Sequence, residues 1–157
     1  MPTQPTSDCR SVLLAADAEP ARLIVCERTG RWAVTLRREL DGADVRVHES
    51  RSLVECWQQL AEAPAGFVVV ELTGGNVASL LERLARLPRE FPLARVAVVA
   101  DRSLAKYEWL IREAGAVHFT CSSRQLGPLG RAVRAHLDQA PAPPQTLVEQ
   151  VWASLPW

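Results

Sequence analysis

With 157 residues, eighteen basic side chains, eighteen acidic ones and no net charge, the chain has room for one domain with a core of its own, plus short tails. The balance leaves no field that would concentrate nucleic acid or an anionic membrane, so neither is expected as a partner. Four cysteines (Cys9, Cys26, Cys56, Cys121) and three histidines (His48, His118, His136) stand far apart without a Cys-x-x-Cys pair, so no zinc site, redox motif or cofactor is expected.

Residues 1–20 read as an N-terminal extension. Their one apolar run, residues 12–16, is too short for a signal-peptide core or a membrane span, and a soluble, cytoplasmic protein with reduced, buried thiols is expected. The domain proper spans residues 21–138. Leu23–Cys26 is apolar without alternation, the mark of a strand buried on both faces. Trp32, Leu36 and Leu40 follow at helical spacing. Residues 44–48 alternate, with Val45 and Val47 on one side, as an edge strand does. Leu53, Trp57 and Leu60 predict a second helix and residues 67–70 a second buried strand. Val77, Leu80, Leu81, Leu84 and Leu87 trace one face of a third helix. Arg95–Ala100 is the third buried strand. Leu104, Leu110, Ile111 and Ala114 predict a helix stopped by Gly115, residues 117–121 a second edge strand, and Leu129, Val133 and Leu137 a fifth helix. Trp32, Trp57 and Trp109, at helical spacing, are expected in the core. His118 falls inside a strand, and His136 is expected to point outward.

Five strand–helix units of this length suit right-handed crossovers. The expected fold is α/β, a doubly wound (βα)5 flavodoxin-like parallel sheet with strand order 2-1-3-4-5. Ligands of such sheets bind at the carboxyl ends of the strands. Here those ends carry Glu27 and Arg28, then Glu71 to Asn76, then Ala100 and Asp101, then Ser122 and Ser123.

These positions, together with Arg112-Glu113-Ala114-Gly115-Ala116 before the fifth strand, resemble a response-regulator receiver domain over residues 22–138. The resemblance implies a site in which an acidic pair and an acceptor aspartate hold Mg²⁺, while a Thr/Ser and a Lys grip the phosphate. Carried onto this chain, the acidic pair falls on Glu27 and Arg28, the acceptor on Glu71, the Thr/Ser on Val99 and the Lys on Ser122. Arg28 puts a cation where Mg²⁺ needs an anion. Glu71 keeps a carboxylate on a longer arm, and neither Val99 nor Ser122 replaces the gripping groups. The likeness is therefore to a receiver-like domain without its chemistry, a pseudo-receiver. Glu71 has two readings: a fixed charge imitating the phosphorylated form, or a carboxylate paired with Arg28. Gly74-Gly75 lacks the other residues of a P-loop or dinucleotide turn and reads as a tight turn, with Asn76 capping the next helix.

Two functions follow as expectations. One is a non-catalytic regulatory or scaffolding module that binds a protein partner or a second copy of itself. The resemblance places its contact face on residues 104–138, with Tyr107 on it. The other is a sensor of a small anion or nucleotide, held by Arg28, Arg102 and the Gly74-Gly75 amides. After a proline-rich linker at 139–145, Thr146-Leu147-Val148-Glu149 has the form of a capping box. Leu147, Val148, Val151, Trp152 and Leu155 then share one side of a short helix ending near Trp157, a segment stable only if that side is buried. It packs either on its own domain or in a partner's groove.

Overall fold

The computed structural model describes residues 19–141. The strands are β1 (Leu23–Cys26), β2 (Val47–Ser50), β3 (Phe67–Leu72), β4 (Arg95–Ala100) and β5 (His118–Thr120). The helices are α1 (Arg31–Glu39), α2 (Leu53–Glu62), α3 (Val77–Glu90), α4 (Glu108–Glu113) and α5 (Gly127–Gln139), with a 3-10 segment, Arg102–Tyr107, leading into α4. All five strands are parallel, in the order β2-β1-β3-β4-β5.

The continuous apolar runs lie in the three central strands because both faces of the sheet are covered. Alternate residues point to opposite layers. Leu23, Val25, Val69 and Val99 pack with Trp32 and Leu36 of α1 and Leu129 and Val133 of α5. Ile24, Val68, Val70 and Val98 pack with Trp57 and Leu60 of α2, Leu80 and Leu84 of α3, and Ile111 of α4. Burial of each such side chain contributes about 1.5–3 kcal/mol against leaving it in water.

The edges differ from the sequence reading. β2 begins at Val47 rather than at residue 44, because the preceding residues form turns: the Ala43 N–H donates to the Leu40 carbonyl (3.0 Å) and the Val45 N–H to that of Ala43 (2.8 Å). β5 is three residues long. The fourth helix winds its first turns as 3-10, and Gly115, at φ +114°, closes it as expected. The Gly115 N–H reaches the Arg112 carbonyl and the Ala116 N–H that of Ile111, the paired bonds of a left-handed helix cap. α5 includes Gln139, which the sequence reading places in the linker; residues 142–145 of that linker lie outside the described residues.

Trp32 and Trp57 are buried, but Trp109 is 71% exposed. Ile111 takes the inward position on α4, and a residue two places away on a helix lies about 200° round the axis, so both cannot face the sheet. His136 also departs from expectation. Its Nε2 lies 2.8 Å from the Ala65 carbonyl and its ring meets Phe67 edge-on at 5.5 Å, because α5 crosses the end of β3 there. Among the described residues no helix is long and apolar enough to cross a membrane. The tail with Leu147, Val151, Trp152, Leu155 and Trp157 lies outside the described residues, as does most of the N-terminal extension.

Candidate functional site

The chain between β1 and α1 decides the fate of the first candidate carboxylate. Gly30 sits at the start of α1 with φ +81°, a left-handed conformation that favours glycine, and it has no side chain with which to cap the helix. The first amides of α1 need another acceptor. Glu27 supplies it: its Oε2 accepts from the Trp32 N–H (2.8 Å) and its Oε1 from the Ala33 N–H (2.6 Å). The residue is 2% exposed. Its own N–H donates to the Ser50 carbonyl (3.1 Å), continuing the β1–β2 ladder.

Glu71, the second candidate, is partnered as fully. Its Oε2 accepts from the backbone N–H of Arg28 (3.0 Å) and its Oε1 from the Trp32 indole N–H (3.3 Å). The Arg31 guanidinium stands 4.0 Å away and bonds Asp101 at 2.9 Å. The expected ion pair with the Arg28 side chain is not formed. Arg28 serves Glu71 through its main chain, and its exposed guanidinium has no ion partner among the described residues. The reason is directional: the amide at the end of β1 points at β3, and the longer glutamate arm reaches Trp32.

Magnesium, which a receiver implies, does not fit this donor set. Glu27 is buried against helix amides, Glu71 is held by two N–H donors, and the position beside Glu27 is a cation. The gripping positions are equally changed. Val99, the β4 partner of Glu71 in register, is buried in the core. Ser122 follows β5, where its N–H donates to Thr120 Oγ1 (3.2 Å).

The loop after β3 is organised by Asn76, though not as a helix cap. Its Oδ1 accepts from the Thr73 N–H (2.8 Å) and its Nδ2 donates to the Glu71 carbonyl (2.9 Å), so the side chain closes the turn and makes no cap bond to α3. Between this loop and the starts of the β1 and β2 connections lies a cavity of about 300 Å³, lined among others by Cys26, Arg28, Arg51, Thr73 and Gly75. Arg102 does not line it; Arg51, which the sequence reading missed, does. Arg51 is oriented by bonds to Glu49 (2.9 Å) and to the Glu27 carbonyl (3.2 Å). Glu49 also receives Arg37, whose hydrogen bond holds its carboxyl below the usual range. At the cavity wall, the Cys26 thiol is lowered by a hydrogen bond from Cys56, whose own thiol is pushed up by that neighbour and by burial.

Away from the strand ends, α4 shows an apolar outer surface. Trp109 and Leu110 are exposed on it, and Val117 is exposed at the entry to β5. Tyr107, expected on this face, is half-buried against the core. The sequence reading places Trp109 in the core, although its spacing from Ile111 carries the signal that it faces outward.

No protein-family profile matches the chain, and no curated protein of known sequence does. Solved structures resemble it. A response regulator from Thermotoga maritima superposes with a TM-score of 0.61 at 20% identity, over 76% of this chain and 99% of that one. A CheY-like protein (TadZ) from Pseudomonas aeruginosa gives 0.57 at 21% identity, over 72% and 92%. An orphan response regulator of H. pylori gives 0.57 at 17% identity, over 76% and 98%. At these identities the likeness is one of fold, and the described part of this chain has the fold of a CheY-like response-regulator receiver domain.

Proposed function

We propose that the chain is a non-catalytic, receiver-like regulatory or scaffolding module that binds a protein partner, or a second copy of itself, without being phosphorylated. The observation that carries this reading is the state of Glu71. An acceptor carboxylate needs a free oxygen and a metal beside it, whereas both oxygens here are engaged by N–H donors and the neighbouring Glu27 caps α1. The structural neighbours are response regulators, one of them an orphan regulator, which is consistent with a receiver-like regulatory module. The exposed Trp109 and Leu110 give the module an adhesive surface. The tail residues Leu147, Val151, Trp152, Leu155 and Trp157 form a second anchor in this reading, with Tyr107 at the margin of the first.

Treatment of the full chain with acetyl phosphate and Mg²⁺ tests the central claim. Intact mass stays unchanged and the amide chemical shifts do not depend on Mg²⁺; a mass increase of one phosphoryl group, or a Mg²⁺-dependent shift around Glu71, refutes the reading.

A further inference from the structure

The cavity at the carboxyl end of β1 and β2 has an unusual division of polar groups. Its acceptors are used from behind: Glu27 by the α1 amides, Glu71 by Arg28 N–H and Trp32 Nε1–H, Asn76 Oδ1 by Thr73 N–H. Its donors are not. The Arg28 guanidinium has no ion partner, and the Thr73 hydroxyl and Gly75 N–H have no hydrogen-bond partner, among the described residues. Arg51 is held in place by Glu49 and the Glu27 carbonyl.

Both arginines line the cavity. Cys26 and Ser50 are register partners on β1 and β2, so Arg28 and Arg51 leave neighbouring strands that lie about 4.8 Å apart. A guanidinium keeps its charge at every physiological pH and presents a planar fork of donors suited to oxyanions. The free Arg28 fork, the N–H groups that Arg51 leaves unbonded, a hydroxyl and a main-chain N–H suit an anion with several oxygens and more than one charge better than a carboxylate. A volume of about 300 Å³ sits at the small end of ligand sites and exceeds what a bare phosphate fills. No Cβ stands at Gly74 or Gly75, where even an added one would meet nothing within 4 Å, so the loop side is open to an occupant.

We propose that this cavity is a non-covalent binding site for a phosphoryl-bearing anion, clamped between Arg28 and Arg51 with Thr73 and Gly75 as neutral donors. The site differs from a receiver's acceptor chemistry, since no bond to Glu71 forms and no metal enters. It is also separate from the α4 surface, because Trp109 does not line it.

The test is titration of the full chain, at fixed physiological ionic strength, with inorganic phosphate, pyrophosphate and ADP, read by amide chemical shifts and calorimetry. Binding with shifts at Thr73 and Gly75 is expected, and Arg28→Ala weakens it roughly tenfold or more while leaving the melting temperature unchanged, with Arg28→Lys in between. Arg51→Ala serves as the second variant. Tighter binding of ADP or pyrophosphate than of phosphate identifies a phosphorylated compound as the occupant; equal binding identifies free phosphate. Absence of saturable binding by all three up to about 10 mM overturns the proposal, as does affinity that survives Arg28→Ala unchanged.

Discussion

Glu27 and Glu71 at the strand ends, and Trp109 on α4, are placed in opposite ways. The two carboxylates are drawn in and partnered, Glu71 with a side chain 12% exposed, while the largest apolar side chain of α4 stands in solvent. Folded proteins ordinarily put charge outside and indole inside. A switch acceptor must keep an oxygen free for chemistry; these oxygens are used to fasten α1 and β1 to β3. The comparison teaches that the strand-end carboxylates serve the fold, and that the groups open to an outside molecule are the arginines beside them and the outer side chains of α4.

Removing the most deeply paired carboxylate gives the largest effect. Glu27→Ala leaves two buried α1 amides without an acceptor and lowers unfolding free energy by about 3 kcal/mol in urea denaturation. A loss below about 1 kcal/mol would show that the helix start is capped otherwise. Next comes the Trp32–Glu71 bond. Trp32→Phe costs about 1–2 kcal/mol, and in a double-mutant cycle with Glu71→Gln the two losses do not add, since they share one hydrogen bond. Additive losses would mean that Glu71 is held by Arg28 N–H alone.

A smaller, pH-dependent effect arises beside α4. His118 Nε2 is buried without a hydrogen-bond partner among the described residues, and burial, then the Arg112 cation, hold the imidazole below its ordinary value of 6.5, with Glu108 opposing. Because the folded value is depressed, the unfolded chain takes up the proton first as pH falls. Stability is therefore full at neutral pH and declines below about 6.5 until the folded ring also protonates. His48, lowered by burial and by Arg22, adds to the same window. The melting temperature of His118→Gln should fall less between pH 7 and pH 5 than that of the parent chain; identical slopes would remove His118 from the account. The smallest effect on stability belongs to Trp109→Ser, within about 0.5 kcal/mol of the parent. That variant nevertheless weakens self-association or partner binding, read by sedimentation; a large loss of stability would show that Trp109 packs after all.

The sequence alone determined the five units, their order and the two kinds of strand. Apolar runs mark strands covered on both faces, and helical spacing marks a buried stripe; both are short-range patterns imposed by one-sided or two-sided contact with water. Gly115 was legible for the same reason, as a local requirement for a left-handed cap. Glu27, Arg28 and Glu71 could also be found, since strand ends are where such a sheet gathers polar groups. Only the tertiary structure decided what those groups do. The Arg28 guanidinium is spare because its main chain reaches Glu71, Glu27 is consumed because Gly30 offers α1 no cap, and Arg51 lines the cavity because the Glu27 carbonyl and Glu49 hold it there. Each of these depends on directions set between segments far apart in the chain. Residue types and spacing carry the identity of a hydrogen-bonding group, whereas its partner is chosen by strand register and helix placement.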